Sequence, residues 1–185
     1  MNFIEVMVSE HKNISRMLRV IRKYCLRVLN DNNVDYSDFH KIIDFIRNYA
    51  DKHHHGKEEK FLFVKMVEEL KGPADKLVTH GMLVEHDLGR LFIKNLETAV
   101  NEVENGNMDA RVDVIANAIG YADLLTRHID KEDNVVYKFA ENNLSKSTLQ
   151  KLEQDCDAFE KNDEDNGIQN KYLSMLKQLE QKYDK

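Results

Sequence analysis

The sequence has little of what builds disulfide-rich, membrane-spanning or β-sheet proteins. Its 185 residues include one proline, seven glycines, two cysteines and no tryptophan. Cys25 and Cys156 are far apart and form no Cys-x-x-Cys motif, which excludes a disulfide scaffold and a zinc ribbon. No apolar run reaches the roughly eighteen residues of a membrane span, and no segment alternates convincingly between apolar and polar residues, so strands have little support.

The charge balance narrows the class of partner. A net charge of -6 argues against nucleic acid. The first residues, MNFIEVMVSEHK, are amphipathic and acidic, which argues against a signal peptide. We therefore expect a cytoplasmic protein without nucleic-acid or membrane partners.

Helical periodicity dominates the chain. Apolar residues recur at helical spacing in four long segments joined by short polar connections, and two further helices follow. The pattern predicts an all-α, up-down-up-down four-helix bundle over residues 1–142 and a helical extension over 143–185 that packs on it. Gly72 and Pro73 are expected to end the second helix. The predicted helices cover residues 3–29, 36–70, 80–103, 109–141, 147–160 and 168 onward.

Two related motifs place histidine and glutamate where periodicity calls for leucine. They are KHHHGKEEKFLF, at residues 52–63, and RHIDKEDNVVY, at residues 127–137. In each a histidine precedes a glutamate by four positions, as His54 precedes Glu58 and His128 precedes Glu132. This spacing puts imidazole and carboxylate one turn apart on the same helix face, where both can reach one metal ion.

A second repeat supports a shared site. Glu10-His11 precedes the first motif and Glu85-His86 precedes the second, at similar distances. Two helical hairpins would therefore each supply two histidines and one glutamate. Imidazole and carboxylate without thiolate suit non-haem iron, with manganese or zinc behind it. The predicted metal ligands are His11, His54, Glu58, His86, His128 and Glu132.

With these residues in place, the chain resembles the hemerythrin-like family, or HHE cation-binding domains, over residues 1–140. HHHGKEEKFLF, followed by Gly72-Pro73 and by MLVEHDLGR at residues 82–90, resembles a bacterial branch. The resemblance implies a four-helix bundle around two iron ions in an oxo- or hydroxo-bridged centre. It further implies that Glu58 and Glu132 bridge the ions and that the four histidines are terminal ligands.

The sequence departs from the pattern of the oxygen-carrying hemerythrins at two points. On the last helix those proteins have a histidine followed by an aspartate at spacing five, where this chain has His128 and Glu132 at spacing four. Oxygen-carrying hemerythrins use a fifth histidine, but Met82 stands four residues before His86, where that histidine is expected. His80 is an alternative on a different helix face. His55/Glu59 has the same spacing as His54/Glu58, although alignment of the two motifs favours His54, so we expect His55 beside the ligands or at the surface.

Other polar residues are candidates to contact a metal-binding side chain or a bound molecule without binding the metal themselves. Tyr121 lies seven residues before His128 and could donate a hydrogen bond, and Arg90 could hold Glu85 or a carboxylate ligand. Gly89, beside His86, leaves a gap that could admit a small molecule or allow close helix packing. The complete set of candidates for contact with a ligand or for an extra ligand is His80, Tyr121, Glu85, Arg90 and His55.

Three functions fit this reading. One is a binding module for iron and a small diatomic or peroxide ligand (O2, NO or H2O2), in sensing, storage or delivery, or in the response to oxygen, oxidative or nitrosative stress. Another is an oxidoreductase that reduces such a ligand with electrons from a separate donor protein, and a count of only four imidazoles favours it. The third is a helical interaction protein with a polar core and no iron. The sequence does not decide whether the protein is an enzyme, nor its oligomeric state.

Overall fold

The computed structural model describes residues 2–31 and 33–183, and these residues form six helices and no strand. The helix α1 spans Phe3–Asp31, and three further long helices, α2 to α4, span residues 36–70, 72–104 and 108–143. The last two, α5 and α6, span Lys146–Asp165 and Ile168–Tyr183. The predicted all-α bundle with two added C-terminal helices is confirmed.

Each long helix packs against two others, as short connections between neighbours require. Helix α1 contacts α2 and α4, and α3 contacts the same two helices from the opposite side. The buried apolar residues form two clusters along the bundle. Each cluster draws its residues from several helices. The members of one range in sequence from Ile14 to Leu179, and the members of the other from Phe3 to Cys156. The polar residues of the candidate site lie between them.

Helices α5 and α6 cover the side of the bundle that α1 and α2 form. Leu152 and Cys156 of α5 join one apolar cluster, and Tyr172 and Leu176 of α6 join the other. The domain boundary near residue 142 stays a prediction. Buried residues of α5 and α6 belong to the same apolar clusters as those of the bundle, so the packing does not mark a boundary there. In the part of the chain that the structure describes, no helix is long and apolar enough to cross a membrane.

Several helix ends differ from their predictions; α5, for example, ends at Asp165 and not at residue 160. Lys71, not Gly72, adopts the positive φ of 52° between α2 and α3, and α3 begins at Gly72 with Pro73 in its first turn. Proline is therefore part of the start of α3, which lies eight residues earlier than the predicted His80. At the start of α5, the capping side chain is Ser145, whose hydroxyl accepts a hydrogen bond from the backbone N–H of Thr148 at 3.2 Å.

The long helices widen into π-helical turns beside the predicted ligands. These segments are Ile46–His55 and Glu58–Leu62 in α2, Val78–Met82 in α3 and Glu132–Val136 in α4. A π turn holds more residues than an α turn, so the residues after it change face. Regular α-helical spacing from His128 and Glu132 would put Val135 on the inner face, but Val135 is 52% exposed, whereas Val136 and Tyr137 are buried.

Candidate metal centre

The six predicted metal ligands come together in the middle of the bundle. Each is at most 2% exposed. Together with His55, these six residues form two groups that share Glu58. Within each group, one potential ligand atom from each residue lies within 4.8 Å of the others. One group is His11, His54, Glu58 and Glu132, and the other is His55, Glu58, His86 and His128.

The Nε2 atoms of the histidines and the glutamate oxygens face the same small volume. His11 Nε2 lies 3.2 Å from Glu132 Oε2, and His128 Nε2 lies 3.0 Å from Glu132 Oε1. His86 Nε2 lies 3.0 Å from His128 Nε2 and 3.6 Å from Glu58 Oε2. Such crowding of nitrogen and oxygen donors is the arrangement that a bound cation requires.

Carboxylates hold the four predicted histidines in this orientation. In each ring Nδ1 lies within hydrogen-bonding distance of a carboxylate oxygen, which leaves Nε2 free to face the centre. The pairs are His11 with Asp133 at 2.7 Å, His54 with Glu10 at 2.7 Å, His86 with Glu59 at 2.7 Å, and His128 with Glu85 at 2.9 Å.

These carboxylates follow the same internal repeat as the ligands. Glu10 and Glu85, which precede His11 and His86, each bind a histidine of their own half of the bundle. Glu59 and Asp133, which follow the two ligand glutamates, each bind a histidine of the opposite half. Glu59 and Asp133 were not predicted in this role, although the acidic residue that follows Lys-Glu in both motifs is a usable signal for it.

The protein holds protons where a cation would otherwise supply positive charge. Burial alone lowers the pKa of His11, but its contacts with Asp133 and Glu132 raise it to about 10. The pKa of His86 is likewise lowered by burial and raised to about 10 by Glu132 and Glu59.

The two central glutamates differ in protonation. Burial and the charge of Glu132 raise the pKa of Glu58 to about 8, so this carboxyl is largely neutral at pH 7. Burial acts in the same direction on Glu132, but the charge of His128 and the contact with His11 hold its pKa well below the usual range. Glu132 is therefore the ionised member of the pair.

His55, one of the candidates for an extra ligand, lies in the centre and not at the surface. Its ring stacks on that of His86, with centroids 3.8 Å apart and an angle of 11°. Nδ1 lies 3.4 Å from Asp51 Oδ1, and Nε2 has no hydrogen-bond partner among the described residues. Because the π-helical segment Ile46–His55 ends at this residue, His55 supplies a fifth imidazole that regular α-helical spacing did not predict.

The other candidates lie in different places. His80 is exposed and outside both groups, so the structure does not bring it to the centre. Arg90 does not hold Glu85 but pairs with Asp51 at 2.7 Å and with Glu59 at 2.6 Å. Glu85 pairs instead with Lys131 and His128.

Two tyrosines approach the centre from α4. Tyr121 is buried, and its hydroxyl has no hydrogen-bond partner among the described residues. Tyr137, which the sequence analysis missed, donates a hydrogen bond to Glu58 Oε1 at 2.5 Å and lies 3.4 Å from His11 Nε2. It faces inward because it follows the π turn Glu132–Val136.

A buried ionic network connects the centre to α5. Lys57 is fully buried and forms salt bridges with Glu10 and Glu160. His53 lies 2.8 Å from Glu10 and 2.6 Å from Asp163. Since Glu10 also holds His54, only two side chains separate the C-terminal extension from a predicted metal ligand.

The donor set fits metal ions. Several of its buried atoms have no hydrogen-bond partner within residues 2–31 and 33–183, namely His54 Nε2, His55 Nε2, Glu58 Oε2 and both oxygens of Glu132. Polar atoms buried without partners are costly, and coordination of a cation would satisfy them together. Five imidazoles and two carboxylates without thiolate match the preferences of non-haem iron.

The comparisons with known proteins agree with this chemistry. The family model described as the hemerythrin HHE cation binding domain matches residues 2–140, and thus all seven residues of the centre. Searches of the curated proteins and of the solved structures gave no significant match. The match does not distinguish branches of the family, so the bacterial branch stays a prediction. A family model that covers most of the chain, together with two buried groups of histidine and glutamate, shows that this protein belongs to the hemerythrin family of HHE cation-binding domains.

Proposed function

We propose that the chain binds two iron ions and, through them, a small uncharged ligand such as O2, NO or H2O2. The convergence of seven buried donors into two groups that share Glu58 carries this proposal. His11 and His54 would hold one ion, and His55, His86 and His128 the other, with the carboxylates of Glu58 and Glu132 within reach of both. Bound iron would supply a redox-active Lewis acid for the small ligand.

The remaining residues determine the surroundings of the ions. Asp133, Glu10, Glu59 and Glu85 fix the ring orientations, and the apolar clusters on both sides exclude water. Tyr137 places a hydroxyl proton beside Glu58 and His11. With His55 included, the count of imidazoles rises to five, which removes the sequence argument that favoured an oxidoreductase. Reversible binding of the ligand, for sensing, storage or delivery, is therefore the function we favour.

One observation favours the second candidate, a di-iron oxidoreductase with an external electron donor. Tyr137 is buried against two predicted ligands, and a tyrosine in that position can pass a proton or an electron to a bound molecule. Such a reductase would take its electrons from a separate protein. Peroxide or NO turnover in the presence of a reductant would support this function.

Metal analysis of single variants tests the site. We expect about two iron atoms per chain after anaerobic loading, and a large loss of iron in His54→Ala and His128→Ala. His40→Ala is the matched control, because His40 is half exposed and pairs with Glu104 at 3.3 Å, away from the centre. Equal iron retention in the three variants would refute the assignment of the ligands.

Exposure to oxygen then separates the two functions. The reduced, iron-loaded protein is mixed with O2 and followed by absorbance. A band that forms with O2 and disappears under argon supports reversible binding, whereas rapid irreversible oxidation with peroxide turnover supports the oxidoreductase. A protein that remains colourless and free of iron would refute both.

A further inference from the structure

A cavity of about 260 Å³ adjoins one side of the candidate centre. It lies between α2 and α3, and its walls include His55, His86, Gly89, Ile93 and Tyr121. A water molecule occupies about 30 Å³ in the liquid, so the cavity has room for several small molecules. Two of the five imidazoles of the centre therefore face a space that a ligand can enter.

Tyr121 brings an unused hydrogen-bond donor to this cavity. Its side chain is 2% exposed, and no residue in the described part of the chain accepts a hydrogen bond from its hydroxyl. Burial and the nearby charge of Asp51, which lines the same cavity, raise the pKa of Tyr121, so the hydroxyl stays protonated. A buried donor without a partner is unfavourable unless a bound molecule accepts its hydrogen bond.

Gly89 keeps this space open. A Cβ at this position would lie 3.5 Å from Leu125 Cδ2 and 3.5 Å from Tyr121 Cε2, which is ordinary van der Waals contact. Close packing therefore does not require glycine here. Of the two explanations that the sequence allowed, the structure favours a gap for a small molecule.

Two of the three lysine and arginine side chains that line the cavity in the described part of the chain are held in ion pairs, and the third, Lys94, is exposed to solvent. Arg90 pairs with Asp51 at 2.7 Å and with Glu59 at 2.6 Å, and Arg47 pairs with Glu97 at 2.6 Å. A charged ligand would have to compete with these ion pairs. A small neutral molecule could pass them and find an apolar wall at Ile93.

We propose that this cavity admits and holds the small neutral ligand of the centre, and that the Tyr121 hydroxyl donates a hydrogen bond to an oxygen atom of that ligand. This inference rests on the proposed function. It adds a route by which the ligand reaches the centre, on the side of His55 and His86. It also names Tyr121 as the residue that favours molecules with a hydrogen-bond acceptor over those without one.

Xenon tests the cavity in the metal-free protein, independently of iron. In crystals pressurised with xenon, we expect a xenon atom between Gly89 and Ile93 in the wild type and none there in Gly89→Met. Gly81→Met is the matched control, since Gly81 belongs to the same helix but does not line the cavity. A wild-type cavity that takes up no xenon would overturn the proposed route.

Stopped-flow binding of NO to the iron-loaded protein tests the role of Tyr121. Tyr121→Phe keeps the shape of the side chain and is expected to raise the NO dissociation rate about tenfold, with unchanged iron content. Tyr36→Phe, at a half-buried position away from the cavity, should leave the rate unchanged. If Gly89→Met fails to fold, the comparison of Tyr121→Phe with Tyr36→Phe still tests whether the cavity holds the ligand.

The outcomes separate the two proposals. Unchanged NO kinetics in Tyr121→Phe, in a protein that holds iron, would overturn this inference and leave the proposed function intact. A wild-type chain that takes up no iron would overturn both.

Discussion

Metal uptake should release protons, and their number follows from the charges of the centre. At pH 7 the metal-free protein keeps protons on His11 and His86, whose pKa values are about 10, and largely on Glu58, whose pKa is about 8. Burial lowers the pKa of His128, but the charge of Glu132 raises it above its ordinary value, so this ligand holds a proton as well. Each must lose its proton before the nitrogen or oxygen can bind a metal ion. We therefore expect at least about three protons to leave per chain on loading, with His128 contributing toward a fourth.

Three or more released protons make metal affinity steeply dependent on pH. The apparent binding constant should fall by at least about three orders of magnitude for each unit that the pH falls below 7. Isothermal titration calorimetry under argon measures this number directly. The observed binding enthalpy is plotted against the ionisation enthalpy of several buffers, and the slope is the number of protons exchanged.

A single variant tests the structural cause. Asp133 raises the pKa of His11 without being a proposed ligand, so Asp133→Asn should lower that pKa, reduce the proton release by up to about one and leave the metal stoichiometry unchanged. Asp130→Asn is the control, because Asp130 is exposed and contacts Asn134 on the surface of α4. A slope near zero in the wild type, or equal slopes in the two variants, would refute the reasoning.

Three further outcomes follow from the same structure. Lys57→Met should destabilise the protein by about 3–5 kcal/mol, because it leaves two carboxylates without their buried partner, while the exposed Lys65→Met should change stability by less than about 0.5 kcal/mol in urea unfolding. The metal-free protein should lose stability as pH rises from about 6.5 to 10. The folded state binds the protons of Glu58, His11 and His86 more tightly than the unfolded chain does, and unfolding curves at three pH values measure the loss. A chelator should lower the unfolding midpoint of the loaded protein, since metal at a thousand times its dissociation constant adds about 4 kcal/mol; an unchanged midpoint in calorimetry would contradict this.

Much of the centre could be predicted from sequence because its strongest signal is local. A histidine and a glutamate four residues apart share a helix face in any regular helix. The spacing alone therefore predicts that His54, Glu58, His128 and Glu132 can bind a metal ion. The repeated Glu-His pairs add His11 and His86 in the same way. The bundle follows from four apolar stripes and short connections.

The parts that sequence reasoning missed or left open, such as the place of His55, depend on departures from regular helical geometry. His55 enters the centre and Tyr137 turns inward where π turns change the angle between successive residues, which a fixed α-helical period does not describe. The contacts of Glu59 and Asp133 run between the two halves of the bundle, so spacing along one helix does not reveal them. The burial of His53 depends on α5, which is distant in sequence.

The π turns of α2 also make chain length, as well as residue identity, a requirement of the centre. Three consecutive histidines point toward three different neighbours: His53 toward α5, His54 toward α1 and His55 toward α3. Removing the single residue Gly56 would shorten the path between His54 and Glu58 and rotate everything after it by about 100°. Glu58 would then leave the position that both groups share, although every donor would still be present in the sequence.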